Sequence, residues 1–449
     1  MRFYDREEQL ESLREMRSLA YNGYSRMTVV TGRRRIGKTT LVQKAYEDEP
    51  FVYLFVGNKN EAVLCREFTK EFSEKTGIFT PTMTSFQEVF RFFMEEGRRH
   101  KFTLFFDEFQ NFLEVNPHIY GDIQNWWDRL RKESHVNMVV SGSVHSLMDK
   151  LFKDNKEPLY GRQDAMIRLG AFPTVVMKQI MQENAPGFTP DDLLALYTYT
   201  GGIPKYVEYF VDLGATSAGK IIERICREDS PVIEEGRKLL AMEFGKKYTT
   251  YFSILQAISQ GFDTQARIED YLGGKSIGGH LLKLEETYSL IRKVRPIFSK
   301  PKTQTVRYEI GDIFLRFWFR YIEKNERLIE LGQFKVLAGI LQEDYETYSG
   351  DVLERFLRAK LAESLHYRDI GGWWDPKGFT DNKGNHQQCE IDIVAQRLDD
   401  DSLEIYEVKR NPKKYKEGLL EAKVEHFCLK VEECRKRKRV LGCLSLEDL

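Results

Sequence analysis

The chain has 449 residues, 41% apolar, 31% charged and 13% aromatic, a globular balance long enough for roughly two to four domains with buried cores. Its formal charge of -1 excludes a global field that would gather nucleic acid, although a local basic patch stays open. No run of about 18 apolar residues occurs, so no membrane span is expected. The charged start, MRFYDREEQLESL, is not a secretion signal. Cys65, Cys226, Cys389, Cys428, Cys434 and Cys443 are scattered without a CxxC pair and read as reduced thiols. A soluble, cytoplasmic protein is expected.

In chain order, Glu7–Leu19 is helix-like and breaks at Asn22-Gly23. The apolar run Thr28–Thr31 then feeds a Gly-rich turn into a helix starting near Leu41 and Val42. Gly32-x4-Gly37-Lys38-Thr39 matches the phosphate-binding pattern of P-loop nucleotide hydrolases. Glycines let backbone N–H groups curl around phosphate oxygens, and the following helix turns its positive end toward them. Gly32, Arg33, Arg34, Arg35, Ile36, Gly37, Lys38, Thr39 and Thr40 are therefore the candidate cradle. Lys38 would reach the β and γ phosphates and Thr39 would hold Mg²⁺, which makes ATP and Mg²⁺ the expected cofactors.

Phe51–Val56 reads as a buried strand, and Glu61–Lys75 and Phe86–Glu96 as helices. Phe102–Phe106 is an apolar strand ending in Asp107 and Glu108. Carboxylates at the carboxyl edge of a parallel sheet can reach a bound nucleotide. Asp107 would orient Mg²⁺ and its water, and Glu108 would polarise the attacking water. Gly121–Glu133 is a further helix. Asn137–Val140 is a strand stopping at Ser141-Gly142-Ser143, where Ser141 or Ser143 would sense the γ-phosphate. His145 is a functional polar group or an ordinary helix start. Arg162 is either a transition-state arginine, in cis or from a neighbour, or a surface residue closing a turn.

Phe188-Thr189-Pro190-Asp191-Asp192 marks a helix start within a helical lid, with Thr189 as cap, Pro190 first in the helix and an acid soon after. Lys238–Leu290 has the rhythm of a winged helix, with wing strands near 288–294 and 305–309, but the mixed charge of its third helix does not single out a DNA reader. Asp312–Tyr321 (DIFLRFWFRY) has aromatic residues at helical spacing that suit packing better than base stacking.

In the last stretch, Tyr345–His366 is helix-like and holds Glu354. Asp369–Trp374 is a Gly-broken strand, and Asp375–Gln388 a polar hairpin or loop. Alternation puts Glu390 with Asp392, and Glu407 with Lys409, on common faces. Glu354, Asp392 and Glu407 could hold Mg²⁺ for phosphodiester chemistry, with Lys409 orienting water. They could equally be solvated charges on a sheet edge. The basic run Arg435–Arg439 is a phosphate contact or a solvated turn.

Taken together, TGRRRIGKT (31–39), LFFDEFQ (104–110), SGS (141–143), PLYGR (158–162), GGIPKY (201–206), DIFLRFWF (312–319), Trp373-Trp374, EIDIV (390–394) and EVK (407–409) resemble the prokaryotic AAA-type or archaeal-type ATPase family with a C-terminal DUF234-like, PD-(D/E)xK nuclease-related domain. The resemblance implies an α/β P-loop ATPase core of the additional-strand type at 1–185, a helical lid at 186–237, a winged-helix domain with its aromatic connecting segment at 238–340, and a restriction-endonuclease-like α/β domain at 341–449. It implies that Arg162 lies near the nucleotide, and that Glu354, Asp392, Glu407 and Lys409 are the nuclease-like set. Ile391 replaces the proline often found before that Asp. An ATPase coupled to a DNA-acting, cleaving domain is one expectation; an ATP-driven switch whose last domain binds protein or DNA without cutting is the other. DNA, a protein partner and a second copy of the chain all remain open as partners.

Overall fold

Five apolar segments near the start of the chain pair side by side in one direction. They are β1 (Arg26–Thr31), β2 (Phe51–Phe55), β3 (Phe102–Asp107), β4 (Val136–Gly142) and β5 (Ala165–Arg168), in the order β2-β3-β4-β1-β5 and all parallel. The computed structural model describes residues 1–49, 51–245, 248–300, 302–380 and 386–449, with the side chains of all of these except 145 and 146. Packing divides the chain into two compact units, Tyr4–Gly170 and Ala171–Leu449, the latter joined by Met1–Phe3. The helix Thr174–Asn184, which a first domain of 1–185 would include, falls after that division.

In the first unit β3 is buried at every position because helices cover both faces of a parallel sheet. Phe68, Phe86, Phe106 and Phe112 interlock with ring centroids 4.6–6.4 Å apart, at separations where aromatic pairs add to simple area burial. This core fixes the strands in register, so the ends of β1, β3 and β4 come to one edge. Strand pairings set Thr31 beside Gly142 and Phe106 beside Val140.

The second unit begins with helices, among them Pro190–Thr200, which starts at the expected cap Thr189, with Asp192 completing a capping box. Three helices follow, Tyr248–Ser259, Gln265–Tyr271 and Gly278–Leu282, then an antiparallel hairpin of β6 (Ile291–Val294) and β7 (Arg307–Ile310). The aromatic run is core: Phe314, Phe317, Trp318 and Tyr321 are buried. A Cβ at Gly236 would lie 2.2 Å from the Trp318 ring, so only glycine admits the indole there. Base stacking by this run is excluded by that burial.

The helix Phe334–Glu363 starts eleven residues before its expected start at Tyr345 (345 − 334). It leads to a four-stranded sheet of β8 (Tyr367–Thr380), β9 (His386–Arg397), β10 (Leu403–Val408) and β11 (Arg439–Leu444). The order is β11-β10-β9-β8, with only the β10–β11 pair parallel. Of the two expectations for 375–388, hairpin or loop, the pairing is that of a hairpin: Asp375, Phe379 and Thr380 pair antiparallel with Cys389, Gln387 and His386, and residues 381–385 of that stretch lie outside the described residues.

One expectation is corrected outright. Cys428 and Cys434 form a disulfide, with Cα atoms 4.9 Å apart, while Cys65, Cys226, Cys389 and Cys443 are free. The break between the helices Glu417–Lys430 and Glu432–Lys436 folds the two thiols together, a proximity that a six-residue spacing does not announce. In the basic run, Lys436 pairs with Glu432 and Arg437 with Asp401, so these two charges are met within the chain. No helix among the described residues is long and apolar enough to cross a membrane.

Candidate functional site

β1 ends in a turn that reverses backbone hand three times, with φ of +152° at Gly32, +70° at Arg35 and +87° at Gly37. A Cβ at Gly32 would lie 2.7 Å from the Leu169 carbonyl oxygen, so the chain can begin its curl there only without a side chain. Buried Ile36 packs beneath the turn. The helix Lys38–Ala45 then starts, carrying Thr39 and Thr40 in its first turn. Lys38 is buried, and its Nζ donates to the carbonyl oxygens of Gly32 (2.9 Å) and Arg33 (3.1 Å), lying across the loop it belongs to.

Asp107, at the end of β3, is the hub of this edge. Its Oδ2 accepts from Thr39 Oγ1 at 2.8 Å and from the Tyr53 hydroxyl at 3.0 Å; its Oδ1 accepts from the Glu108 N–H at 3.0 Å and from Ser141 Oγ. A buried carboxylate with four donors is well satisfied. Burial and then the Asp107 charge push the Tyr53 phenol up, which keeps it a donor.

Glu108 has left-handed backbone, φ +55°, a conformation rare for a non-glycine residue and enriched at functional sites. Its Oε2 accepts from Ser143 Oγ (2.7 Å) and Gln110 Nε2 (2.5 Å), and Arg34 approaches Oε1 at 3.9 Å. Thus Ser141 serves Asp107 and Ser143 serves Glu108. Thr39, Asp107, Ser141 and Glu108 are brought together, next to the Lys38 loop. A hydroxyl and a carboxylate already 2.8 Å apart are the donor set an octahedral Mg²⁺ with several waters accepts. The side chain of His145 lies outside the described residues.

Arg162 does not join them. It precedes β5, whose first residue Ala165 is paired with Thr28, and Asp164 N–H donates to the Met27 carbonyl. Arg162 is therefore at the amino edge of the sheet, while the phosphate loop is at the carboxyl edge. There its guanidinium grips Asp128 through Nε (3.0 Å) and an Nη (2.7 Å). The placement near its own nucleotide is corrected. The helix His145–Lys153 and the loop after it carry the chain to the other edge before β5 can run parallel to β1. Arg168, at the far end of β5, is the arginine beside Thr31, and it pairs with Asp149 at 3.2 Å.

A second polar cluster lies in the second unit. Asp392 on β9 accepts from the Val408 N–H at 2.7 Å. Burial, then the Glu407 charge, push its carboxyl up to about 6. Glu354, on the helix Phe334–Glu363, is pushed up to about 7, by burial first, with Asp392 adding to it and Arg358 opposing. Burial also pushes Glu407 up, but Lys409 (2.8 Å) and Lys423 (2.9 Å) hold it below its ordinary value.

The four expected residues thus share one neighbourhood. Even so, among the described residues no three His, Cys, Asp or Glu side chains are grouped to hold a metal ion. The expected triad is corrected in that respect, for a reason visible in its partners. Arg358 binds the Glu354 carboxylate and the Asp392 carbonyl (2.7 Å), and Lys423 takes Glu407, so internal cations stand between the acids. Glu390 is drawn off to Arg307 at 2.6 Å, and that guanidinium also sits 4.5 Å from the Trp374 ring centre.

Residues 3–210 match a family described as an ATPase domain predominantly from Archaea, and residues 318–420 match the DUF234 family of archaeal and bacterial proteins of unknown function. An uncharacterized protein of Methanocaldococcus jannaschii is 30% identical over 417 residues, covering 91% of this chain and 87% of that protein. The chain belongs to the archaeal-type ATPase family that carries a DUF234 domain. Its first part is an ATPase domain.

Among solved structures, the Walker-type ATPase of Pyrococcus abyssi is similar in fold to this family member, at TM-score 0.53 and 22% identity over 71% of this chain and 96% of that one. The Aeropyrum pernix ORC2 protein, solved as ADPNP-ADP complexes, is 14% identical over 74% of this chain and 95% of its own, at TM-score 0.46.

Sequence reasoning on this family member missed Tyr53, Gln110, Arg358 and Lys423. The last two had a faint signal: Arg358 stands one helical turn from Glu354, and Lys423 is a lysine within a helix with apolar Leu420, Val424 and Phe427. Tyr53 had none, because a tyrosine in an apolar strand is ordinary.

Proposed function

We propose that the chain binds ATP on the Gly32–Thr40 loop and hydrolyses it with Mg²⁺. The supporting observation is the buried carboxylate of Asp107, which accepts the Thr39 hydroxyl at the mouth of that loop. Gly32, Arg33, Arg34, Arg35, Ile36, Gly37 and Thr40 shape the cradle, and Lys38 leaves the loop carbonyls to meet the phosphates. Thr39 and Asp107 hold Mg²⁺, which, when bound, neutralises phosphate charge. Glu108 takes a proton from the attacking water, released from Ser143 and Gln110 as substrate enters. Ser141, hydrogen-bonded to Asp107, reports the state of the γ-phosphate. Arg162 serves a nucleotide held by another copy, so the working form is a homo-oligomer. Titration of Mg-ATP into the native protein and into Lys38→Ala tests this: uptake is expected only in the former, and equal uptake sinks the reading.

A second reading concerns the rest of the chain. Three helices followed by the hairpin β6–β7 support a winged-helix domain. The mixed β8–β11 sheet, with its acids and lysines on β9, β10 and the flanking helices, supports a nuclease-like fold. On this reading ATP turnover is coupled to a domain acting on DNA, with Asp392 and Glu407 holding Mg²⁺, Glu354 beside them and Lys409 placing water. The observation favouring it is the shared neighbourhood of Glu354, Asp392, Glu407 and Lys409 across three elements. The rival within it is a domain that binds DNA or protein without cutting, favoured by the internal cations Arg358 and Lys423. Cleavage of linear, branched and single-stranded DNA with Mg²⁺, in native protein against Asp392→Ala, separates the two. Cutting that is lost in the variant supports the nuclease; no cutting of any substrate leaves the binding domain.

A further inference from the structure

The aromatic run 312–321 has two arginines four residues apart, Arg316 and Arg320, and both line a pair of adjoining chambers in the second unit. The inner chamber measures about 170 Å³ and is walled by Ser259, Tyr308, Glu309 and Tyr348 as well. The outer one, about 980 Å³, is walled by Gln256, Gln260 and Lys324 and by the acids Glu323, Asp344 and Asp351.

Most charges at the inner chamber are matched. Arg355 binds Glu309, Arg320 binds Asp344 at 2.7 Å, and Arg267 binds Asp263 at 2.8 Å. Arg316 is the exception: among the described residues its guanidinium has neither an ion-pair partner nor a hydrogen-bond acceptor. The Tyr348 hydroxyl, on the same wall, is buried and has no hydrogen-bond partner either. Exposed Asp351 lines the outer chamber, not the inner one. Burial, and then Arg355, work against the charge on Arg316, while Tyr348, Glu309 and Asp351 favour it from beyond ion-pair distance.

The Arg316 side chain is half-buried, and a guanidinium without an ion-pair partner there keeps its donors for water or for the oxygens of a ligand. Guanidinium groups favour planar or tetrahedral oxyanions, which accept two parallel N–H bonds. A chamber of this size next to a roomier polar one matches the volumes of small-molecule sites.

We propose that these chambers bind a small polar molecule by its oxyanion, a phosphate or carboxylate group, which sits against Arg316 in the inner chamber while the rest of the molecule occupies the outer one. Arg320, held by Asp344 and lying 5.2 Å from the Tyr348 ring centre, keeps the wall in place. The site shares no lining residue with the nucleotide loop, and Arg355, which binds Glu309 on its wall, also acts on Glu354 of the acidic cluster.

The test uses the full chain carrying Lys38→Ala, so that the nucleotide loop takes up no phosphate. Inorganic phosphate and acetate are titrated calorimetrically at fixed ionic strength, against Arg316→Met in the same background. One saturable site for either anion is expected, weakened at least tenfold by Arg316→Met, and the anion that binds identifies the headgroup. In Arg316→Met the anion-induced rise in melting temperature should disappear. Absence of saturable binding by either anion overturns the proposal. So does equal affinity in Arg316→Met, or an anion-induced rise that stays intact in that variant. Should Arg316→Met fail to fold, Tyr348→Phe takes its place: a several-fold loss of affinity supports the site, and unchanged affinity overturns it.

Discussion

The Thr39 hydroxyl donates to Asp107 across 2.8 Å, joining the first turn of the helix after the phosphate loop to the end of β3. Asp107→Asn keeps the shape but turns one acceptor oxygen into a donor facing hydroxyls. We expect Mg-ATP turnover to fall at least about tenfold, and the fold to lose about 1–3 kcal/mol from the unmatched groups. Turnover assays and urea midpoints measure the two effects separately. Native-like turnover would remove Asp107 from the metal side of the site.

Glu108→Gln keeps a side chain able to meet Ser143 and removes the base. Hydrolysis should drop by about 10²–10⁴, with ATP affinity retained in an equilibrium titration. If affinity falls in step with rate, Glu108 acts in binding, not in taking the proton.

Arg162 at the amino edge implies that its variant is silent within one chain. Arg162→Ala should bind ATP as the native protein does, yet hydrolyse it at least about tenfold more slowly at concentrations where copies associate. Mixing Arg162→Ala with Lys38→Ala should recover turnover, because each supplies what the other lacks. Mixtures as inactive as their components would leave Arg162 as a brace for Asp128.

Glu354 and Asp392 set a pH dependence of definite sign. Both carboxyls are raised in the folded chain, to about 7 and about 6. The folded state therefore binds more protons than the unfolded one, and stability falls as pH rises. Their contribution is complete below the ordinary carboxylate range and is lost as pH climbs through about 6 and then about 7. Glu354→Gln should melt above the native protein by about 2–4 °C or more at pH 8, with the gap narrowing toward pH 5. A gap that stays constant across this range would show that Glu354 does not hold the extra proton.

The phosphate loop was legible because its geometry is local: the glycines, Lys38 and Thr39 work through neighbours a few residues away. The same holds for Thr189, whose cap is complete within four residues. The acids at the end of β3 were legible because an apolar run ending in charge reads the same whatever its neighbours. What escaped was set by distant pairing. Tyr53 meets Asp107 only because β2 lies beside β3. Arg162 sits on the wrong edge for its own nucleotide because β5 must run parallel to β1. Cys428 meets Cys434 at a helix break that composition does not mark, and β8 runs past Trp374 because β9 pairs with it.

The helix Phe334–Glu363 runs unbroken for 30 residues, a rod about 45 Å long at 1.5 Å per residue. Near its middle, the Tyr345 hydroxyl donates to Asp191 at 2.9 Å, and Arg410, just past β10, reaches Asp191 at 2.7 Å and Ser349 at 2.5 Å. Glu354 lies on the same rod, but Ser349-Gly350, the kind of pair at which helices bend, stands between it and Tyr345. The Asp191 triangle therefore clamps the rod just before the pair at which it can flex, as a wrist is held below the hand, and a bend there would draw the acid away from Asp392 or press it toward it.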